Sequence, residues 1–193
     1  ISILIAIIGF LIYKHFKNKR LFDEIMKRDT SKPAITEISI EPSPFEEIVN
    51  NETTETSSSE NADKQYTQEI SPDIEAGILK KLEKFEQSKK YLEKDMTLSK
   101  MAVFLNTNTK YVTKIIAKHR GKGTIDYITD LKINYIIEIL KKETKFRNYI
   151  HKALGEEAGF GSTQNFTRAF KERNGISPTY FIYKLKKSAN TGN

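Results

Sequence analysis

The chain has 193 residues, 32 of them Lys or Arg and 25 Asp or Glu, a length that suits one or two domains. It contains no cysteine, which excludes a disulfide framework, a thiolate metal site and a Cys nucleophile. Its histidines, His15, His119 and His151, stand far apart. None has metal-ligand spacing or a triad partner, so no catalytic residue, metal or cofactor is assigned and the chain reads as non-enzymatic.

The charge is distributed unevenly. Residues 1–28 carry six basic and two acidic side chains, residues 29–72 two and ten, and residues 73–193 carry 24 and 13. Such blocks mark parts with separate jobs. A basic C-terminal part points to a polyanion, either nucleic acid or an anionic membrane surface. Charge alone does not separate that from a soluble domain with a lysine-rich surface.

Residues 1–13, ISILIAIIGFLIY, are apolar and uncharged. A spanning helix needs about 20 such residues, so the run is read as the C-terminal part of a transmembrane helix whose beginning is missing. Lys14, Lys17, Lys19 and Arg20 follow, with Tyr13 and Phe16 at the interface position. Basic flanks face the cytoplasm, which would leave the rest of the chain there. A signal peptide has the reverse order of charge and apolar run. The basic juxtamembrane segment 14–28 continues the helix. Its Leu21, Phe22, Ile25 and Met26 could form an apolar stripe suited to dimerisation, although a frayed helix end is the favoured reading.

Residues 29–72 read as an acidic disordered linker, with prolines at 33, 42, 44 and 72 and the stretch TETSSSENAD at 54–63. Such a segment buries too little apolar surface to offset its ordering entropy. As a coil it would span about 35–40 Å end to end and leave the basic part mobile near the membrane.

From Asp73 the apolar spacing is helical. Ile74, Ile78, Leu82 and Phe85 define a first amphipathic helix that closes near Leu92. Thr97 caps a short helix carrying Leu98, Met101, Ala102 and Leu105. Asn106-Thr107-Asn108 interrupts, and Asn108 caps another helix with Val112, Ile115 and Ile116 buried. Two short helices about a turn, with small Ala102 at the crossing, read as a helix-turn-helix. Thr109, Lys110, Thr113, Lys114 and Lys118 are left on the outer face.

Gly121-Lys122-Gly123 ends that helix. A long helix over 124–142 follows, with Ile125, Ile128, Leu131, Tyr135 and Ile139 on one stripe and Ile133, Ile136, Ile137 and Leu140 widening it. It is apolar enough to be covered on two sides and would connect two lobes. The pattern then repeats. Ile150, Ala153, Leu154 and Ala158 give buried spacing, and Gly159-Phe160-Gly161 makes a turn. Ser162 caps a helix with Phe166, Ala169 and Phe170 inward. Thr163, Gln164, Asn165, Thr167, Arg168 and Lys171 point outward. Gly175-Ile176-Ser177-Pro178 stops it, and a last short helix over 179–187 leaves 188–193 as a disordered tail. His119 and His151 read as surface residues near the lobe edges.

The stretch GEEAGFGSTQNFTRAFKERNGISPTYF, residues 155–181, resembles the C-terminal signature of AraC/XylS-type transcription regulators. TLSKMAVFLNTNTKYVTKII and GKGTIDYITDLKINYIIEILKKE match the rest of that domain in order and spacing, so the resemblance covers about 73–187. Together with the apolar run and acidic linker, it looks like the membrane-anchored Bacteroidetes type, which usually carries tetratricopeptide repeats before the membrane helix, here missing. The resemblance implies an all-α domain of seven helices, with two helix-turn-helix lobes joined by a long helix and both recognition helices in successive major grooves of double-stranded DNA. By position, the family's base-reading side chains fall on Thr109, Lys110, Thr113 and Lys114, and on Thr163, Gln164, Thr167 and Arg168. Lys118 and Lys171 join them as candidate DNA contacts. A homodimer and RNA polymerase are the protein partners such a regulator would have. Two positions depart from the pattern: Gly155, where Ala is usual, and Thr144, where Pro is frequent. Mid-helix Gly costs about 0.5–1 kcal/mol relative to Ala, which would loosen the second lobe.

The chemistry also stands without the family. Arg meets guanine O6/N7 and Gln meets adenine N6/N7 bidentately, whereas Lys on phosphate carries little sequence information. The competing function is a membrane-tethered interaction protein whose basic domain docks on anionic lipid or a protein partner. Basic residues spread evenly around the domain would mark it.

Overall fold

The computed structural model describes residues 2–28, 70–94 and 96–190. The described residues are helical throughout, without strands: α1 (Ser2–Lys27), α2 (Pro72–Gln87), α3 (Leu98–Leu105), α4 (Thr109–Arg120), α5 (Thr124–Lys142), α6 (His151–Glu157), α7 (Thr163–Asn174) and α8 (Pro178–Asn190). Short 3-10 turns lie at Lys90–Leu92 and Thr144–Asn148. The all-α expectation therefore holds. The linker reading falls almost wholly on residues 29–69, outside the described residues. Ser71 caps α2 and Pro72 opens it, where a fixed φ and a missing N–H cost nothing. Of the expected tail, residues 188–190 extend α8.

Two hydrophobic clusters organise the described residues, and α5 feeds both. In the first, Ile78, Leu82 and Phe85 of α2 pack with Met101, Ala102 and Leu105 of α3, Val112, Ile115 and Ile116 of α4, and Tyr127 and Ile128 of α5. In the second, Ile133, Ile136, Ile137 and Leu140 of α5 meet Leu154 of α6, Phe166 and Phe170 of α7, and Phe181 and Leu185 of α8. Four residues expected on buried stripes are outside these clusters, and Ala153 among them is half-buried. The other three, Ile74, Ile125 and Ile150, are 49%, 77% and 68% exposed; in the first turn of α5 it is Thr124, 6% exposed, that faces inward in place of Ile125.

The halves interlock through polar contacts. Buried Lys132 of α5 sends its ammonium to the Gly159 carbonyl at 2.7 Å. Gly159 adopts φ 69°, and a Cβ there would lie 1.9 Å from the Leu92 carbonyl oxygen of the first half. Only glycine allows that approach. Arg173 of α7 donates from Nε to Asp130 at 2.6 Å and from Nη2 to Asp126 at 2.7 Å, both on α5. Burial works against the charge of Arg173, and the Asp130 and Asp126 carboxylates outweigh it, so its pKa is raised.

Helix α1 has two characters. Ile3, Ile5, Phe10, Leu11 and Tyr13 are exposed. Among the described residues no helix is long and apolar enough to cross a membrane. The C-terminal turns, read from sequence as frayed or dimer-forming, pack instead on the second cluster. Phe22 and Ile25 are buried, and the Phe22 ring lies 5.4 Å from that of Phe181. A Cβ on Gly175 would come within 2.9 Å of Leu21 Cδ1, so the helix sits against the end of α7. Lys141 closes the end of α1, donating to the Ile25 carbonyl at 2.6 Å and to that of Arg28 at 3.2 Å. A cation on the last carbonyls of a helix is favoured by both hydrogen bonding and the helix dipole. Met26 remains exposed.

Candidate nucleic-acid interface

Helices α4 and α7 are built alike. Each has twelve residues, an extended capping residue before it and a left-handed glycine after it. Asn108 Oδ1 accepts from the Tyr111 N–H at 2.8 Å, and Ser162 Oγ accepts from the Asn165 N–H at 3.1 Å. These bonds satisfy donors that the helix itself leaves open. Gly121 at φ 63° and Gly175 at φ 70° end them. Inward positions also correspond: Val112 and Ile116 in α4, Phe166 and Phe170 in α7, all buried. Before α4, Thr97 caps α3, and Asn106 at φ 51° turns the chain. The Thr107 N–H reaches back to the Ala102 carbonyl at 3.0 Å.

What each helix leaves outside is polar or basic. Thr109, Lys110, Thr113, Lys114 and Lys118 of α4 are exposed, as are Thr163, Gln164, Arg168 and Lys171 of α7. Thr167 is half-buried. The hydroxyl of Thr113 donates to the Thr109 carbonyl at 3.0 Å, and that of Thr167 to the Thr163 carbonyl at 3.0 Å.

One neighbour, Glu75, escapes sequence reasoning. Lys118 donates to Glu75 of α2 at 2.9 Å, and His119 shares the same carboxylate. The bond from Lys118, then that from His119, holds the Glu75 carboxyl below its usual pKa. Glu75 lies 43 residues from Lys118, so no local pattern announces it. By contrast, Asn165 is three residues before Arg168 and accepts from its Nη2 at 3.4 Å. Helical spacing is the signal that could have found this pairing. The Phe166 ring meets Phe160 in tilted and Phe170 in edge-on contact at the second cluster, so these rings offer no platform to a base. Among the described residues no group of three His, Asp or Glu could hold a metal ion.

No family model matches the chain, and no curated protein does. Solved structures similar to it include the C-terminal domain of AraT, a response regulator from Geobacillus stearothermophilus, at 23% identity over 59% of this chain and 86% of that one, with a TM-score of 0.45. Another is ToxT from Vibrio cholerae O395, at 22% identity over 60% of this chain with a TM-score of 0.47, where the match spans only 41% of the ToxT chain. A third is a DNA-binding transcriptional dual regulator from Escherichia coli K-12, at 12% identity over 63% of this chain and 99% of that one, with a TM-score of 0.45. At these scores and identities the case for a function rests on this chain's own residues.

Proposed function

We propose that the chain is a sequence-specific, DNA-binding transcription regulator of AraC/XylS type. In this reading α3–α4 and α6–α7 are helix-turn-helix lobes joined by α5, and α4 and α7 enter successive major grooves of duplex DNA. The observation that carries it is the matched build of α4 and α7. Both have capped N-termini, buried inner faces and outer faces of Thr, Gln, Lys and Arg. A helix-turn-helix presents the N-terminal residues of its second helix to base edges. Thr109, Lys110, Thr113 and Lys114 would read one half-site; Thr163, Gln164, Thr167 and Arg168 the other. Lys171 would hold phosphate, and Lys118 would do so on exchanging Glu75 for DNA.

The test is a titration of the full chain with duplex DNA across salt. Six to ten phosphate contacts imply a loss of about 10³–10⁵ in affinity between 50 and 200 mM salt. No binding at low salt would sink the reading.

The finer proposal is a membrane tether through the N-terminal segment. Its support is the exposed apolar side chains Ile3, Ile5, Phe10, Leu11 and Tyr13, followed in sequence by Lys14, Lys17, Lys19 and Arg20. Protease added outside intact cells should spare a C-terminal tag; cleavage of that tag would refute the topology.

A further inference from the structure

We infer that Thr113 and Thr167 are paired specificity residues: each reads a thymine, through its methyl group, at the same place in its own half-site. The inference rests on the DNA-binding reading and deepens it.

Aligned from their caps, α4 and α7 carry Thr at the first helical position, Thr109 and Thr163, and again at the fifth, Thr113 and Thr167. The positions beside them differ: Lys110 against Gln164 at the second, Lys114 against Arg168 at the sixth. The fifth-position threonines also share one hydrogen bond. Thr113 Oγ1 donates to the Thr109 carbonyl at 3.0 Å; Thr167 Oγ1 donates to the Thr163 carbonyl at 3.0 Å and lies 3.1 Å from that of Gln164.

A hydroxyl has one proton to give. Here it goes to the helix backbone in both lobes, to the carbonyl four residues back. No donor remains for a base edge. The methyl does, together with a hydroxyl lone pair. In the major groove the thymine C5-methyl is the apolar feature that a threonine methyl can touch. Two threonines with the same backbone bond at one register therefore select one base, and Lys110, Gln164, Lys114 and Arg168 distinguish the half-sites around it.

The experiment uses the full chain on the duplex it selects from a randomised library. Each thymine is replaced in turn by deoxyuracil, which removes only the methyl group. Burial of a methyl is worth about 0.8 kcal/mol, so at one position per half-site uracil should weaken binding about fourfold. Thr167→Ser keeps the hydroxyl and loses the methyl; it should abolish that difference in the second half-site and leave the first untouched. Thr113→Ser should do the converse. Thr167→Val and Thr113→Val keep the methyl and should keep the preference for thymine. The proposal is overturned if the Ser variants still distinguish thymine from uracil while the Val variants do not, because the hydroxyl would then be the reader. A wild-type chain that selects a motif yet is indifferent to every uracil overturns this proposal alone. A chain that selects no sequence overturns the DNA-binding reading with it.

Discussion

Arg173, in the last turn of α7, holds Asp130 of α5 at 2.6 Å across 43 residues of sequence. Its second arm takes Asp126 one turn earlier, and Lys122 holds the other Asp130 oxygen at 2.6 Å. The helix proposed to read one half-site is thus tied at its far end to the helix that joins the halves. Hydrogen bonds to charged groups contribute about 1.5–3 kcal/mol. Lys122 still neutralises Asp130 when Arg173 is gone, so Arg173→Met should fall at the lower end of that range in denaturant unfolding. It should also relax the spacing tolerated between half-sites. A variant as stable as the parent, with unchanged spacing, would show that the tie is incidental.

Gly159 is the second fixed point. Any side chain there meets the Leu92 carbonyl at 1.9 Å, and the left-handed backbone itself disfavours L-residues by about 1–2 kcal/mol. Gly159→Ala should lower the unfolding midpoint by more than the backbone penalty alone, since the halves must also part. An effect confined to that penalty would mean the approach relaxes easily.

Docking of α1 predicts a local pattern of hydrogen exchange. Ile25→Asp places an unpaired carboxylate in the second cluster, where Ile25 is 1% exposed. Amides of residues 20–28 and of α8 should exchange faster in the full chain, while α2, α3 and α4 keep their protection. Uniform loss of protection would instead mean that α1 is integral to the whole fold.

Glu75 gives a pH dependence with a definite sign. Its folded pKa is depressed below 4.5 by Lys118 and then His119, so its contribution is present above that value and lost as pH falls through the lowered one. Glu75→Gln should flatten the fall in thermal stability as pH drops below about 4.5, relative to the parent. The same change releases Lys118 and should raise affinity for all duplexes alike, with a steeper salt dependence. Weaker DNA binding in this variant would show that Lys118 works only when held by Glu75.

Caps and inward faces were legible in the sequence because they follow local rules. Thr97, Asn108 and Ser162 cap as read, and Val112, Ile115, Ile116, Phe166 and Phe170 are buried as read. Periodicity could not say which residue of a first turn is covered, hence the exposed Ile74, Ile125 and Ile150. It was equally silent on long-range partners. Phe22 finds Phe181, Lys141 finds the end of α1, and Glu75 finds Lys118, contacts set by tertiary packing alone. Gly155 was read as a loss of rigidity. In the structure a Cβ there would lie 3.2 Å from the Phe166 Cβ, so the glycine serves the close crossing of α6 and α7. The outward faces of α4 and α7 were legible too, but that the Thr113 and Thr167 hydroxyls are committed to the backbone was not.

The measurement that bears most directly on the central claim is selection by the full chain from a randomised duplex library at two salt concentrations, repeated with Arg168→Ala and Lys171→Ala. A regulator of the proposed kind enriches a bipartite motif whose halves lie about one helical turn, 10–10.5 base pairs, apart. Arg168→Ala should then cost about 1–3 kcal/mol on that motif and relax it at one or two base pairs. Lys171→Ala should weaken all sequences alike and lower the salt slope by about one. Enrichment of no motif, with every duplex bound equally and all affinity lost at the higher salt, would contradict the account.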